Sequence, residues 1–180
     1  MGRHVVLLRG INLGAAHRVA MKELRERLQA AGYRDVSTLL QSGNVVLAAG
    51  GADDPATLES ELAPLLREWF GFDIPVVARS RNELADVVAR DPFAGRKLDP
   101  KLYQVSFLSH LPEPARLRAL EDAAAAPEEL VALGREIYTW HPNGISRSAL
   151  AKQISAKKLG VEVTARNWRT VTTLLEMANG

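Results

Sequence analysis

An α+β fold made of two similar halves follows from three features of this 180-residue chain. Short apolar runs alternate with segments of helical periodicity. Turn residues join some of those runs into hairpins. The order strand, helix, hairpin, helix then occurs twice along the chain.

The first half reads as follows. Residues 4–8 form an apolar run that predicts a buried strand, broken by Arg9, Gly10 and Asn12. A loop over 10–19 exceeds the roughly 2–6 residues usual between a strand and a helix. Met21, Leu24, Leu28 and Ala31 repeat at helical spacing, and Gly32 ends that helix. Residues 36–40 and 44–48 predict a hairpin with Ser42-Gly43 as its tight turn. Asp54-Pro55 opens a second helix that runs to Gly71, with Asp53-Asp54 as capping charge. A strand over 74–78 completes the order β-α-β-β-α-β, the split motif of a ferredoxin-like unit.

The second half opens with a helix over 81–89, stopped by Asp91-Pro92. A strand over 102–108, a helix over 112–124 and a hairpin of 129–133 with 137–141 follow. Ser146 is placed as the N-cap of a helix reaching Lys158, ended by Gly160. Thr164 or Asn167 caps a last amphipathic helix carrying Trp168, Val171, Leu175 and Ala178 on one face. The pattern predicts a duplication of two ferredoxin-like units, residues 1–80 and 81–180, in one compact body with extra C-terminal helices. A helix stands where the second unit's last strand would be, and no residue-by-residue repeat is visible.

Composition narrows the function classes. Apolar residues make up 47% and charged ones 24%, values of a chain with a real core. No apolar run nears the roughly 20 residues needed to span a bilayer, and residues 1–4 lack a secretory cleavage pattern, so a cytoplasmic protein without membrane contact is expected. The absence of cysteine excludes disulfides, thiolate catalysis and cysteine-type metal sites. Net charge is +2 but uneven: residues 1–34 hold seven Lys/Arg against two Glu, and 135–180 hold seven against three. The middle is acidic. Basic ends point to an anionic partner.

Three polar stretches stand where strands turn. Arg9-Gly10-Ile11-Asn12-Leu13-Gly14 has glycines able to bring backbone N–H groups to a phosphate, yet it matches neither the P-loop nor the dinucleotide fingerprint. Its other use is to shape the turn, with Arg9 and Asn12 tying down carbonyls. Gln41-Ser42-Gly43-Asn44 suits hairpin chemistry, which leaves the Gln41 amide unexplained. In Thr164-Ala165-Arg166-Asn167-Trp168, Trp168 belongs to the apolar stripe. Arg166, a cation at a helix start, needs an acidic partner or an anion. The four histidines, His4, His17, His110 and His141, show no metal spacing and no partner for a nucleophile. Tyr103, Phe107, Tyr138 and Trp140 alternate onto one face of two strands, in the manner of base-stacking aromatics, although core packing explains them as well.

Leu8-Arg9-Gly10-Ile11-Asn12-Leu13-Gly14 with Met21-Lys22-Glu23-Leu24, then Gln41-Ser42-Gly43-Asn44, then the stretch from Thr164 to Val171, resembles the bacterial family catalogued as domain of unknown function sixteen-ninety-seven. Departures at Ala15, Leu47 and Thr173 leave the polar positions intact. The resemblance implies two ferredoxin-like halves and no assigned activity. The candidate ligand-binding set is therefore Arg9, Gly10, Asn12, Gln41, Ser42, Asn44, Arg166 and Asn167, expected to share one concave region. The expected partner is nucleic acid or a nucleotide. No metal or cofactor is called for. The alternative is an enzyme acting on a small polar or phosphorylated molecule in a cleft between the halves.

Overall fold

The computed structural model describes residues 2–50 and 54–180, and Asp53 lies outside them. Its α-carbon contacts divide the chain into two compact units. One runs to Asp86 and takes in Thr173–Gly180, and the other is Val87–Thr172.

In the first unit β1 (Gly2–Leu8), α1 (Met21–Ala30), β2 (Arg34–Leu39), β3 (Asn44–Ala49), α2 (Pro55–Phe70) and β4 (Val76–Ser80) follow one another. The antiparallel sheet has the order β2-β3-β1-β4. β1 is central and buried on both faces from His4 onward, which is why its sequence reads as an unbroken run rather than an alternation. Val6 and Leu8 of β1, Val45 and Leu47 of β3, and Val76 and Ala78 of β4 face one core. Leu24 and Leu28 of α1 and Leu58, Leu62 and Leu66 of α2 close it at helical spacing. Asp54 caps α2, its carboxylate accepting from the Ala56 N–H at 3.3 Å, and Gly71 ends the helix in the left-handed conformation. The hairpin turn is longer than Ser42-Gly43 alone: residues 40–43 connect β2 to β3.

α3 (Arg81–Ala89) begins with a reciprocal cap. The Glu83 N–H donates to Ser80 Oγ, and the Ser80 N–H donates to the Glu83 carboxylate. The second unit then runs β5 (Tyr103–Leu108), α4 (Pro114–Asp122), β6 (Glu129–Leu133), β7 (Glu136–Trp140), α5 (Ala149–Gln153), α6 (Ala156–Leu159) and β8 (Val163–Asn167). The sheet order, β6-β7-β5-β8, repeats that of the first. α7 (Trp168–Asn179) follows.

Three expectations are corrected here. The single helix capped by Ser146 is instead a short 3-10 turn and two helices, because Ser148 and Ser155 each cap a new start by accepting from Ala151 and Lys158 N–H groups. Of the two expected caps, Asn167 starts α7 and Thr164 does not: Val163–Asn167 is strand β8, paired antiparallel with β5, so the second unit has its last strand after all. On α7, Leu174 rather than Leu175 joins Val171 and Ala178 in burial.

Candidate functional site

The first unit brings six of the eight candidate residues onto adjoining loops. β1 is held one step beyond its end: the Leu8 N–H donates to Gly43 O at 2.8 Å and the Arg9 N–H to Pro75 O at 3.0 Å. Gly10, at φ +74°, turns the chain, and Ile11 and Val19 anchor both ends of the following loop in the core. Between them residues 13–18 are exposed.

Asn12 locks this arrangement. Its Nδ2 donates to Val19 O at 2.9 Å and to Gln41 O at 2.8 Å, while its Oδ1 accepts from the Val19 N–H at 3.0 Å. One amide thus closes its own loop and ties it to the hairpin tip. The tip is fixed in turn by buried Asn44, whose Nδ2 donates to Leu39 O and Ser42 Oγ, both at 2.9 Å. Gly43 is pressed against Leu8: a Cβ there would stand 2.7 Å from the Leu8 Cβ. Asn12 and Asn44 therefore serve the fold of the corner, and Gly10, Gln41 and Ser42 are exposed on it, with Arg9 half-buried.

Several features of this corner were not singled out in the sequence. Asn12, His17 and Leu40 are three of the four described non-glycine residues with positive φ, at 56°, 55° and 60°. A leucine in that region is an outlier, and such strain gathers at binding sites. The His17 ring stacks on Phe72 with centroids 4.5 Å apart. Leu13 and Leu40 are 87% and 63% exposed. No acidic residue occurs in 9–22 or 36–50, whereas Arg9, Arg18 and Lys22 lie in the first of these. The long loop, its glycines and the basic charge of residues 1–34 hinted at this in the sequence.

Arg166 and Asn167 belong to the second unit. Asn167 is the cap of α7, accepting from the Thr170 N–H at 3.0 Å. Arg166 is a strand residue, so the argument from the helix dipole does not apply to it. It is 8% exposed, and its Nη1 donates to Thr164 Oγ1 at 2.7 Å and Ala165 O at 2.9 Å. Burial pulls its guanidinium down to about 10. Trp168 stacks on Tyr103 at 4.7 Å. The aromatic strand residues are core: Tyr103 donates to Asp91 at 2.6 Å and Tyr138 to Val87 O at 2.8 Å, and with Phe107 they are buried. These three are packed away from any base, and Trp140 is half-buried at the end of β7. Among the described residues no group of three His, Asp or Glu gathers as a metal site, and no helix is long and apolar enough to cross a membrane.

This α+β chain belongs to a family of proteins of unknown function, DUF1697, whose model matches residues 1–138. Its structure is similar to that of the conserved bacterial protein SP0830 from Streptococcus pneumoniae. The two share 22% identity with a TM-score of 0.80, and the match covers 98% of each chain. No curated protein matches.

Proposed function

We propose that this protein binds an anionic partner, a single-stranded nucleic acid, at the corner formed by residues 9–20 and 40–43. The observation that carries this reading is the Asn12 clamp, which holds left-handed His17 and Leu40 in two adjoining loops free of acidic residues. A corner meant only to turn the chain has no use for that combination. Arg9, Arg18 and Lys22 supply cations for phosphates. The stacked His17–Phe72 pair supplies a flat ring surface, which favours a base-bearing chain over a free phosphate. Exposure of Leu13, Leu40, Gln41 and Ser42 suits an extended ligand running over the loops.

The test is fluorescence anisotropy with a labelled single-stranded RNA across a salt series. Affinity should fall with salt by about 0.7 in the log–log slope for each phosphate contacted. Arg18→Gln should flatten that slope, and His17→Ala should weaken binding without changing it. Absence of binding at low salt, or binding insensitive to salt, overturns the proposal.

We also propose that the two units are ferredoxin-like and arose by duplication. Their support is register. Val5 pairs with Val46 and Arg79, and Val105 pairs with Tyr138 and Arg166. Leu8 and Leu108 donate to Gly43 O and Arg135 O, and Arg9 and Ser109 to Pro75 O and Glu162 O. Each of these carbonyls lies one residue before its partner strand. The origin of the structural neighbour supports a bacterial source.

A further inference from the structure

We propose that the groove between α4 and α6 in the second unit binds a small carboxylate with an apolar body. The groove encloses a cavity of about 290 Å³. That is at the small end of the roughly 300–1,000 Å³ of ligand pockets, too small for a nucleic acid and adequate for a compact metabolite. Its space comes from Ala115 and Ala119, one helical turn apart on α4, whose short side chains leave the floor to buried Leu120 and Leu159.

The rim is cationic. Arg116, Lys158 and Gln153 line it, and none of the lining residues is acidic. Arg116 is already held in place. Its Nη1 donates to Lys158 O at 2.9 Å, and its Nε lies 3.4 Å from where a Cβ on Gly160 would be. Its Nε and Nη2 donate to nothing among the described residues, and no carboxylate pairs with it. A fixed guanidinium with an unused edge is the donor set that takes a carboxylate through two parallel hydrogen bonds. Two carbonyls near the end of α6, those of Lys157 and Lys158, accept from Nη1 at 3.5 and 2.9 Å. An apolar floor below this rim rejects a fully hydrated ion and rewards a hydrocarbon tail.

The experiment is an amide NMR titration of the full chain with octanoate, with octanol as the tail without charge, and with acetate as the charge without tail. Octanoate should give saturable shifts in α4 and α6, with octanol and acetate at least about tenfold weaker. Ala119→Leu, a change on an exposed helix face, should fill the groove and abolish saturation. Arg116→Gln should weaken octanoate about tenfold and leave octanol unchanged. Should Arg116→Gln fail to fold, Lys158→Gln and Ala119→Leu still decide the matter. No saturable octanoate shift, octanol binding as tight as octanoate, or unchanged binding in Ala119→Leu overturns the proposal. Because the groove and the 9–20 corner are separate sites in separate units, failure of one leaves the other standing.

Discussion

Arg79 on β4 and Arg166 on β8 occupy the same position in their two sheets. Each pairs across to a buried valine of the central strand, Val5 or Val105. Each follows an alanine and donates Nη1 to that alanine's carbonyl, at 2.8 and 2.9 Å. Each precedes the residue that caps the next helix, Ser80 for α3 and Asn167 for α7. Both are buried, at 1% and 8% exposure.

An arginine so placed is a member of the core. Truncation leaves buried acceptors without their donor, at about 1–3 kcal/mol for each group stranded. Arg79→Ala and Arg166→Ala should therefore lower stability by similar amounts in urea unfolding. Arg18→Ala, on the exposed loop, should stay within about 0.5 kcal/mol. A neutral Arg166→Ala would remove the structural role given to it here.

Asn12→Ala tests the corner. The substitution removes three hydrogen bonds that join residues 12, 19 and 41, two of them to backbone groups of Val19. Val19 is itself buried, so its freed backbone groups gain water poorly. A loss of about 1–3 kcal/mol is expected. The 12–18 loop should also become the first site of limited proteolysis, which mass spectrometry of the fragments would locate.

How far the sequence could be read depended on whether burial and composition agreed. β1 and β3 were legible because both faces are buried and the residues are apolar. β8 was not. Thr164-Ala165-Arg166-Asn167 carries a buried cation and a small residue, and only pairing with β5 makes it a strand. The cap at Ser146 was misplaced because Ser146, Ser148 and Ser155 are all competent caps, and packing chose the last two. The internal correspondence stayed hidden because Val5/Val105, Val46/Tyr138 and Arg79/Arg166 recur at three different spacings, set by unequal loops. At the site, the Arg9 and Gln41 stretches were visible as polar turns. Their mutual clamp and their left-handed residues required coordinates.

The tyrosines give a pH prediction. Tyr103 is raised from 10.0 chiefly by burial, then by its hydrogen bond to Asp91. Tyr138 is raised by burial and then by Glu136. Tyr33 is raised by burial and then by Glu61. A phenol whose folded value lies above its unfolded value of 10.0 leaves stability intact below that pH. Above it the unfolded state releases its protons first, so stability falls as pH rises. Ultraviolet titration should show Tyr103 and Tyr138 still protonated where a free phenol has ionised, then cooperative ionisation on unfolding. At the acid end, burial raises Glu128, but hydrogen bonds from His141, Ser148 and Leu150 outweigh it and leave the group lowered. Its contribution should be present above its ordinary value of 4.5 and fade as pH drops below that.

Gly10 and Gly43 separate backbone strain from close packing. Both have positive φ, 74° and 80°, so an added Cβ costs each about 1–2 kcal/mol of left-handed strain. At Gly10 nothing lies within 4 Å of the new carbon. At Gly43 it meets Leu8 Cβ at 2.7 Å and Ile11 Cδ1 at 3.0 Å. The Leu8 atom sits on the central strand, one bond from the backbone whose N–H donates to Gly43 O, so it cannot move without breaking that hydrogen bond. Overpacking of this kind costs a further 1–3 kcal/mol or so. Gly43→Ala should therefore be less stable than Gly10→Ala by about that difference, measured as a shift in urea midpoint at constant slope. Gly43→Ala should also displace the hairpin tip and weaken RNA binding, whereas Gly10→Ala keeps the clamp between Asn12 and Gln41. Equal midpoints for the two variants would mean that Leu8 yields, and the contact that joins β1 to the hairpin would not be a fixed one.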